Sequence, residues 1–162
     1  MQWRLVFKIV VLLTIANGLP IIGGKLFGTQ FDQPVDRGVI FVDGRPVFGQ
    51  SKTIRGVFLS LLATTASARV LGFAWVCGLV VASVSMSGDL ISSFLKRRLS
   101  LPPSSRATGI DQIPESLLPT MAIRSTVGLS AFDVASVVLI FSLWQVLLSR
   151  LLFRWNIRKR PY

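Results

Sequence analysis

The stretch "VLGFAWVCGLVVASVSMSGDLISSFLKRR", residues 70–98, decides the architecture of this chain. It begins as an apolar run and ends in three consecutive cations. A membrane span needs roughly 20 apolar residues, and this run supplies them before a basic stop. Helical periodicity places Ser85, Asp89, Ser92, Ser93 and Lys96 on one face, while Val80, Val81, Val84, Leu90, Ile91 and Leu95 cover much of the rest. Asp89 precedes Lys96 by seven residues, about 10 Å of helix rise. With Lys96 at the headgroup level, Asp89 lies in or just under the interface. An ionised side chain at bilayer centre costs roughly 2.5–3.5 kcal/mol. Even near the interface the aspartate needs a partner, either a cation of the chain or a metal ion. Gly88 beside it lets a second helix or a substrate approach the backbone. The stripe reads as functional; a buried pair that only fixes helix packing is the alternative.

Composition agrees with a membrane protein. Charged residues make up 15% of the 162 and hydrophobic residues 51%, whereas a soluble domain carries about 25% charge. Without histidine, and with the single thiol Cys77 inside an apolar run, neither a disulfide within the chain nor a Cys/His metal cluster can form. Cys77 reads as a small buried apolar residue. The net charge of +11 follows from topology and anionic headgroups rather than from nucleic acid.

Five spans are predicted, at about residues 3–22, 54–68, 70–94, 117–130 and 131–153, giving an all-α integral membrane protein of one polytopic domain. The first resembles a signal peptide but lacks a small-x-small cleavage site and is read as a retained span. Pro119 and Arg124 weaken the fourth. Fourteen of the eighteen basic residues fall in a first loop (23–53) and its exit, a second loop (96–113), and the C-terminal end. Five spans put all three on one side, which the positive-inside rule makes cytoplasmic, with the N-terminus outside and the C-terminus inside. Arg69 and Arg124 then mark short outer turns, Trp3 and Trp155 suit the interfacial belt, and Asp133 caps the fifth helix.

In the first loop, Asp43-Gly44 between "VIFV" and "PVF" predicts a small hairpin on the membrane surface. The segment after it, "FGQSKTIRG" (48–56), collects Ser51, Lys52, Thr53 and Arg55 at a helix start, a set suited to a phosphate chain. The glycine spacing of a Walker loop is absent. The second loop, rich in proline and serine at Pro102-Pro103 and Ser104-Ser105, ends in Asp111-Gln112. Asp89 and Asp111, with no soft ligand available, favour Mg²⁺ or Mn²⁺, held by carboxylates and bridged to substrate phosphates.

"ANGLP" (16–20), "DGRPVFGQSKTIRG" (43–56), and "GDLISSFLKRRLSLPPSS" (88–105) followed by "GIDQIPESLLP" (109–119) resemble the CDP-archaeol synthase family in that order. The resemblance runs from Asn17 to Pro119 and extends, more distantly, to CDP-diacylglycerol synthases. It implies a Mg-dependent transfer of CMP from CTP to a membrane lipid phosphate, with a cytoplasmic-side active site in the cell membrane. On matching positions it implies charge neutralisation by Lys52, Arg55, Lys96 and Arg97. Nucleotide contacts fall to Ser51, Lys52, Thr53, Ser93 and Gln112, and metal ligation to Asp89 and Asp111. A lipid phosphate is already anionic, so no strong general base is required. A small transporter or channel would need polar residues through the full membrane depth, and an assembly factor would need none of the carboxylates; both stand as rivals. A phosphotransferase acting on a CDP-alcohol would show a denser aspartate array.

Overall fold

The computed structural model describes residues 2–101 and 110–155. Pro102, Pro103, Ser104, Ser105, Arg106 and the C-terminal cations Arg158, Lys159 and Arg160 lie outside the described residues.

Five helices form in the expected order: α1 (Trp3–Phe27), α2 (Ile54–Val70), α3 (Trp75–Arg98), α4 (Gln112–Val127) and α5 (Ala131–Arg154). By length and composition α1, α3 and α5 are fit to cross a membrane. The other two, of 17 and 16 residues, are shorter. Helix α1 packs against all four others, and α2, α3, α4 and α5 follow one another around it. Its inner face, Val6, Ile9, Leu12, Leu13 and Ala16, is buried, and meets Val81, Val137 and Phe141 from α3 and α5. Lipid is as apolar as these side chains, so close packing rather than exclusion of water holds this seam.

Small residues set the helix separations. A Cβ at Gly78 would lie 2.8 Å from the Thr64 carbonyl oxygen of α2, and one at Gly88 would lie 2.5 Å from the Pro114 carbonyl oxygen of α4. The predicted close approach at Gly88 is therefore made by α4. Two boundaries differ from the sequence reading. Helix α2 continues through Val70, and α3 starts only at Trp75, because Gly72 at φ 82° turns the chain between them. Helix α4 starts at Gln112, ahead of the expected Leu117, and carries Pro119 in its interior. The loop segments shorten in the same way: α1 runs to Phe27 and α3 to Arg98.

The first loop contains no strand. Its expected hairpin is reduced to a single antiparallel bridge, Ile40 to Pro46, closed by Gly44 at φ 76°, with a second bridge joining Pro34 to Thr53. Asp36 organises the loop by accepting the backbone N–H groups of Gly38, Phe48 and Gly49 at 2.8–3.1 Å. Burial works against that charge, but the three donors prevail and hold the carboxyl below its usual range. Arg98 clamps the hairpin to α3 through Asp43 (2.6 Å) and the Pro46 carbonyl (2.7 Å), with its guanidinium over Phe41 and Phe94. At the opposite end of the bundle the N-cap of α5 is Ser130 rather than the expected Asp133, which as the third helical residue closes a capping box with it and also accepts the Gln2 N–H at 2.9 Å.

Candidate active site

The polar face of α3 points inward. Ser85, Ser92, Ser93 and Lys96 are all buried, and Asp89 is partly so. Three of these side chains meet α4 or the residues leading into it. Ser85 donates to the Glu115 carbonyl at 3.0 Å, Ser92 to the Ile110 carbonyl at 2.7 Å, and Lys96 pairs with Asp111 at 2.6 Å. A lipid-facing stripe of this kind would leave hydroxyls unpaired in hydrocarbon; turned inward, it fastens α3 to α4.

Asp89 takes its partner from the first loop. Lys52 Nζ donates to both carboxylate oxygens at 2.5 Å, and both side chains are about one-fifth exposed. Burial disfavours the Lys52 charge, yet Asp89, then Glu115 and Asp111, outweigh it and hold the ammonium above its ordinary range. Of the three carboxylates whose charge Lys52 feels, it touches Asp89, while Asp111 is held by Lys96. Asp89 and Asp111 lie at the same end of the bundle, each paired with its own lysine. Glu115 was not expected. It is buried on α4, comes within hydrogen-bonding reach of the Asp89 carboxyl, and receives Gln145 of α5 at 3.4 Å. Two carboxyls in hydrogen-bonding contact share a proton, while the Lys52 ammonium pairs with Asp89 beside them. The signal for Glu115 was its place one helical turn after Asp111, in "DQIPE".

The other predicted residues divide. Gln112 and Arg97 are buried at this end, Arg97 with its carbonyl facing Arg45. Thr53 caps α2, accepting the Gly56 N–H at 3.2 Å, and Ser51 is exposed beside it. Arg55 turns away. It pairs with Asp32 at 2.9 Å and donates to the carbonyls of Gly28 and Gln30, bracing the loop against α2. Asn17, in the "ANGLP" segment, was given no individual role; it donates to Ser85 at 2.9 Å and joins α1 to the same network.

Among the described residues no three His, Cys, Asp or Glu side chains converge closely enough to form a metal cage. The oxygen donors present still suit a hard divalent ion, since magnesium is typically held by one or two carboxylates with substrate phosphates completing its shell. Asp89 and Asp111 would provide those carboxylates, with Glu115 close by.

Fold and cluster together define a polytopic membrane protein with an acid–base centre gathered at one end of a five-helix bundle. A sequence model of the CarS-like, CDP-archaeol synthase family matches residues 3–162. Similar curated proteins include the CDP-archaeol synthase of Sulfurisphaera tokodaii, 33% identical over 80% of this chain and 81% of that protein, and the one from Pyrococcus furiosus, 39% identical over 60% of each. A solved structure described as an intramembrane enzyme for archaeal membrane lipids biosynthesis superposes with a TM-score of 0.68, covering 84% of this chain and 89% of that one at 24% identity, a likeness of fold. The chain belongs to the CDP-archaeol synthase family.

Proposed function

We propose that the chain is a membrane cytidylyltransferase that moves CMP from CTP to a lipid phosphate. The observation that carries this reading is the family match along the chain from Trp3 to its end. The lipid phosphate oxygen attacks the α-phosphorus of CTP in line. A new P–O bond forms as the bond to the β-phosphate breaks, and pyrophosphate leaves. A bound magnesium ion would supply Lewis-acid stabilisation of the charge building on the phosphates.

The chain's own contribution is positioning and electrostatics. Two polyanions must meet, and Lys52, Lys96 and Arg97 put positive charge where they meet. Lys52 and Lys96 now hold Asp89 and Asp111. Their exchange onto phosphate would free both carboxylates for the metal without leaving a charge unpaired. Arg55, engaged with Asp32, acts instead by holding the loop that carries Lys52. The cations flanking this end of the bundle support a cytoplasmic placement. The concentration of charge at one end favours an enzyme over a transporter, which needs polar groups through the membrane.

The test is purified protein with labelled CTP, Mg²⁺ and a panel of glycerol ether and ester phosphates. A CDP-lipid is expected, and mass spectrometry of it names the tails. No product from any member of the panel, with folded protein in membranes, overturns the assignment.

A further inference from the structure

The first loop carries an apolar tip that the described residues leave uncovered. Val39, Ile40, Phe41 and Val42 are four consecutive exposed apolar residues, Val42 the most exposed of them at 93%. They lead into the Asp43-Gly44 turn, where the glycine stands at φ 76°. A turn in water normally carries polar side chains, and a contiguous apolar patch marks a contact surface. The tip is held in place by α3. Arg45 donates to the Arg97 and Arg98 carbonyls at 3.3 and 2.7 Å, Arg98 pairs with Asp43, and the Phe41 ring meets Phe94 edge-on with 5.4 Å between centroids. The hairpin therefore lies against the last turns of a helix fit to cross a membrane. Ile91 and Leu95 are exposed one turn apart on that helix, and helical spacing puts Phe94 and Arg98 on the same side. In a bilayer that side faces lipid, and the tip extends its apolar surface.

The charge on the loop is the second observation. Its three aspartates are each engaged within the protein. Asp32 pairs with Arg55 at 2.9 Å, Asp36 accepts three backbone N–H groups, and Asp43 pairs with Arg98 at 2.6 Å. No carboxylate of the loop is left to repel an anionic surface, while Arg37 stands exposed two residues before the tip. An apolar patch edged by a cation, with its acids turned inward, matches the boundary between headgroups and acyl chains in an anionic leaflet.

We propose that this hairpin docks on the bilayer itself. Val39, Ile40 and Val42 enter the headgroup boundary of the leaflet at the charged end of the bundle, and Arg37 meets its anionic phosphates. The seat also sets the height of Lys52, because the Val35 N–H donates to the Lys52 carbonyl at 2.8 Å and the Ile54 N–H to the Gln33 carbonyl at 2.9 Å. Taken with the cytidylyl transfer proposed above, the docked loop keeps that cation at the level of a lipid phosphate; the docking itself does not depend on the reaction.

The test places a polarity-sensitive dye on Val42→Cys in a Cys77→Ala background, in lipid nanodiscs of phosphatidylcholine with or without one-third phosphatidylglycerol. Lipids bearing a nitroxide near the headgroup end of the acyl chain should quench the dye about twofold or more. Acrylamide in the water should quench it less than half as strongly as it quenches the same dye on free cysteine. Phosphatidylglycerol should raise the lipid quenching, and Arg37→Gln should abolish that rise. Quenching by acrylamide as on free cysteine leaves the tip in water and overturns the proposal. Shielding from both quenchers means that protein covers the tip, and overturns it equally. Lipid quenching indifferent to phosphatidylglycerol overturns the contact assigned to Arg37. If the Val42 variant does not fold, Val39→Cys carries the dye to the same readout. Quenching needs no turnover, so a failure to form CDP-lipid would overturn the reaction and leave the docking standing.

Discussion

Lys52, carried by a loop, and Asp89, carried by a membrane-spanning helix 37 residues further on, meet with the ammonium 2.5 Å from both carboxylate oxygens. The contact ties the first loop to α3 and joins the cation proposed to bind phosphate to the acid proposed to bind the metal. Asp89→Asn and Lys52→Gln should each lower CDP-lipid formation about a thousandfold, as loss of a transition-state charge contact does. Each should also destabilise the protein by roughly 1–3 kcal/mol, between the values for exposed and fully buried pairs. In the double variant the stability losses should fall short of additive. Labelled-CTP turnover and thermal unfolding in detergent check both. Full activity of Asp89→Asn would remove the carboxylate from the mechanism.

Asp111 makes a separate prediction because its partner is Lys96 at 2.6 Å. Asp111→Asn should raise the Mg²⁺ concentration giving half-maximal rate by about tenfold or more, the scale seen when a metal site loses support. A chelator should abolish activity, and Mg²⁺ or Mn²⁺ should restore it. Turnover that persists in chelator would show that the acids serve only as partners for lysine.

Gly88 tests the geometry rather than the charges. Its absent side chain lets the Pro114 carbonyl sit where a Cβ would be 2.5 Å away. Gly88→Ala should therefore force α3 from α4, at a cost of about 1–3 kcal/mol for overpacking. The same shift displaces Asp111 and Glu115 from Asp89. Activity should fall further than the loss of folded protein explains, which a comparison of the specific activity of folded protein with its melting temperature will reveal.

The loop should respond to acid through Asp36. Its carboxyl is held below the ordinary value of 3.8 by three backbone donors. A depressed folded-state value contributes stability that is present above the unfolded value and is lost as pH falls through the folded one. Limited proteolysis of residues 28–53 should show protection from pH 7 down to about 4 and loss below that. Asp36→Asn should remove the pH dependence and leave the loop more susceptible throughout. Lys52 behaves oppositely. Raised above its ordinary 10.5, it contributes fully below that value and loses its contribution only as pH rises through the folded one, so its pairing spans the neutral range.

The helical architecture and one half of the site were legible in the chain before folding. Apolar runs of span length and their cationic ends are local properties, and so is the period that aligned Ser85, Asp89, Ser92, Ser93 and Lys96. That Asp133 serves the start of α5 was legible for the same reason, since the cap's donors and acceptors lie within one turn, although the N-cap itself is Ser130. Arg55 shows the limit. Three residues from Lys52, it looked equivalent as a phosphate ligand, but the start of α2 turns it toward Asp32 and the carbonyls at the end of α1. Neighbours in sequence at a helix start point in different directions, and composition does not say which.

Sequence alone determined that this chain enters a membrane, that its charge is gathered where helices leave the bilayer, and that one helix carries a polar face. Those follow from hydropathy and a helical repeat, both of which act over a turn or a span. Only the tertiary structure decided that Lys52 reaches Asp89, that Lys96 reaches Asp111, and that Glu115 of α4 meets Gln145 of α5. These are distances between segments far apart in the chain, set by how closely glycines let helices approach and by the need of each buried charge for a partner.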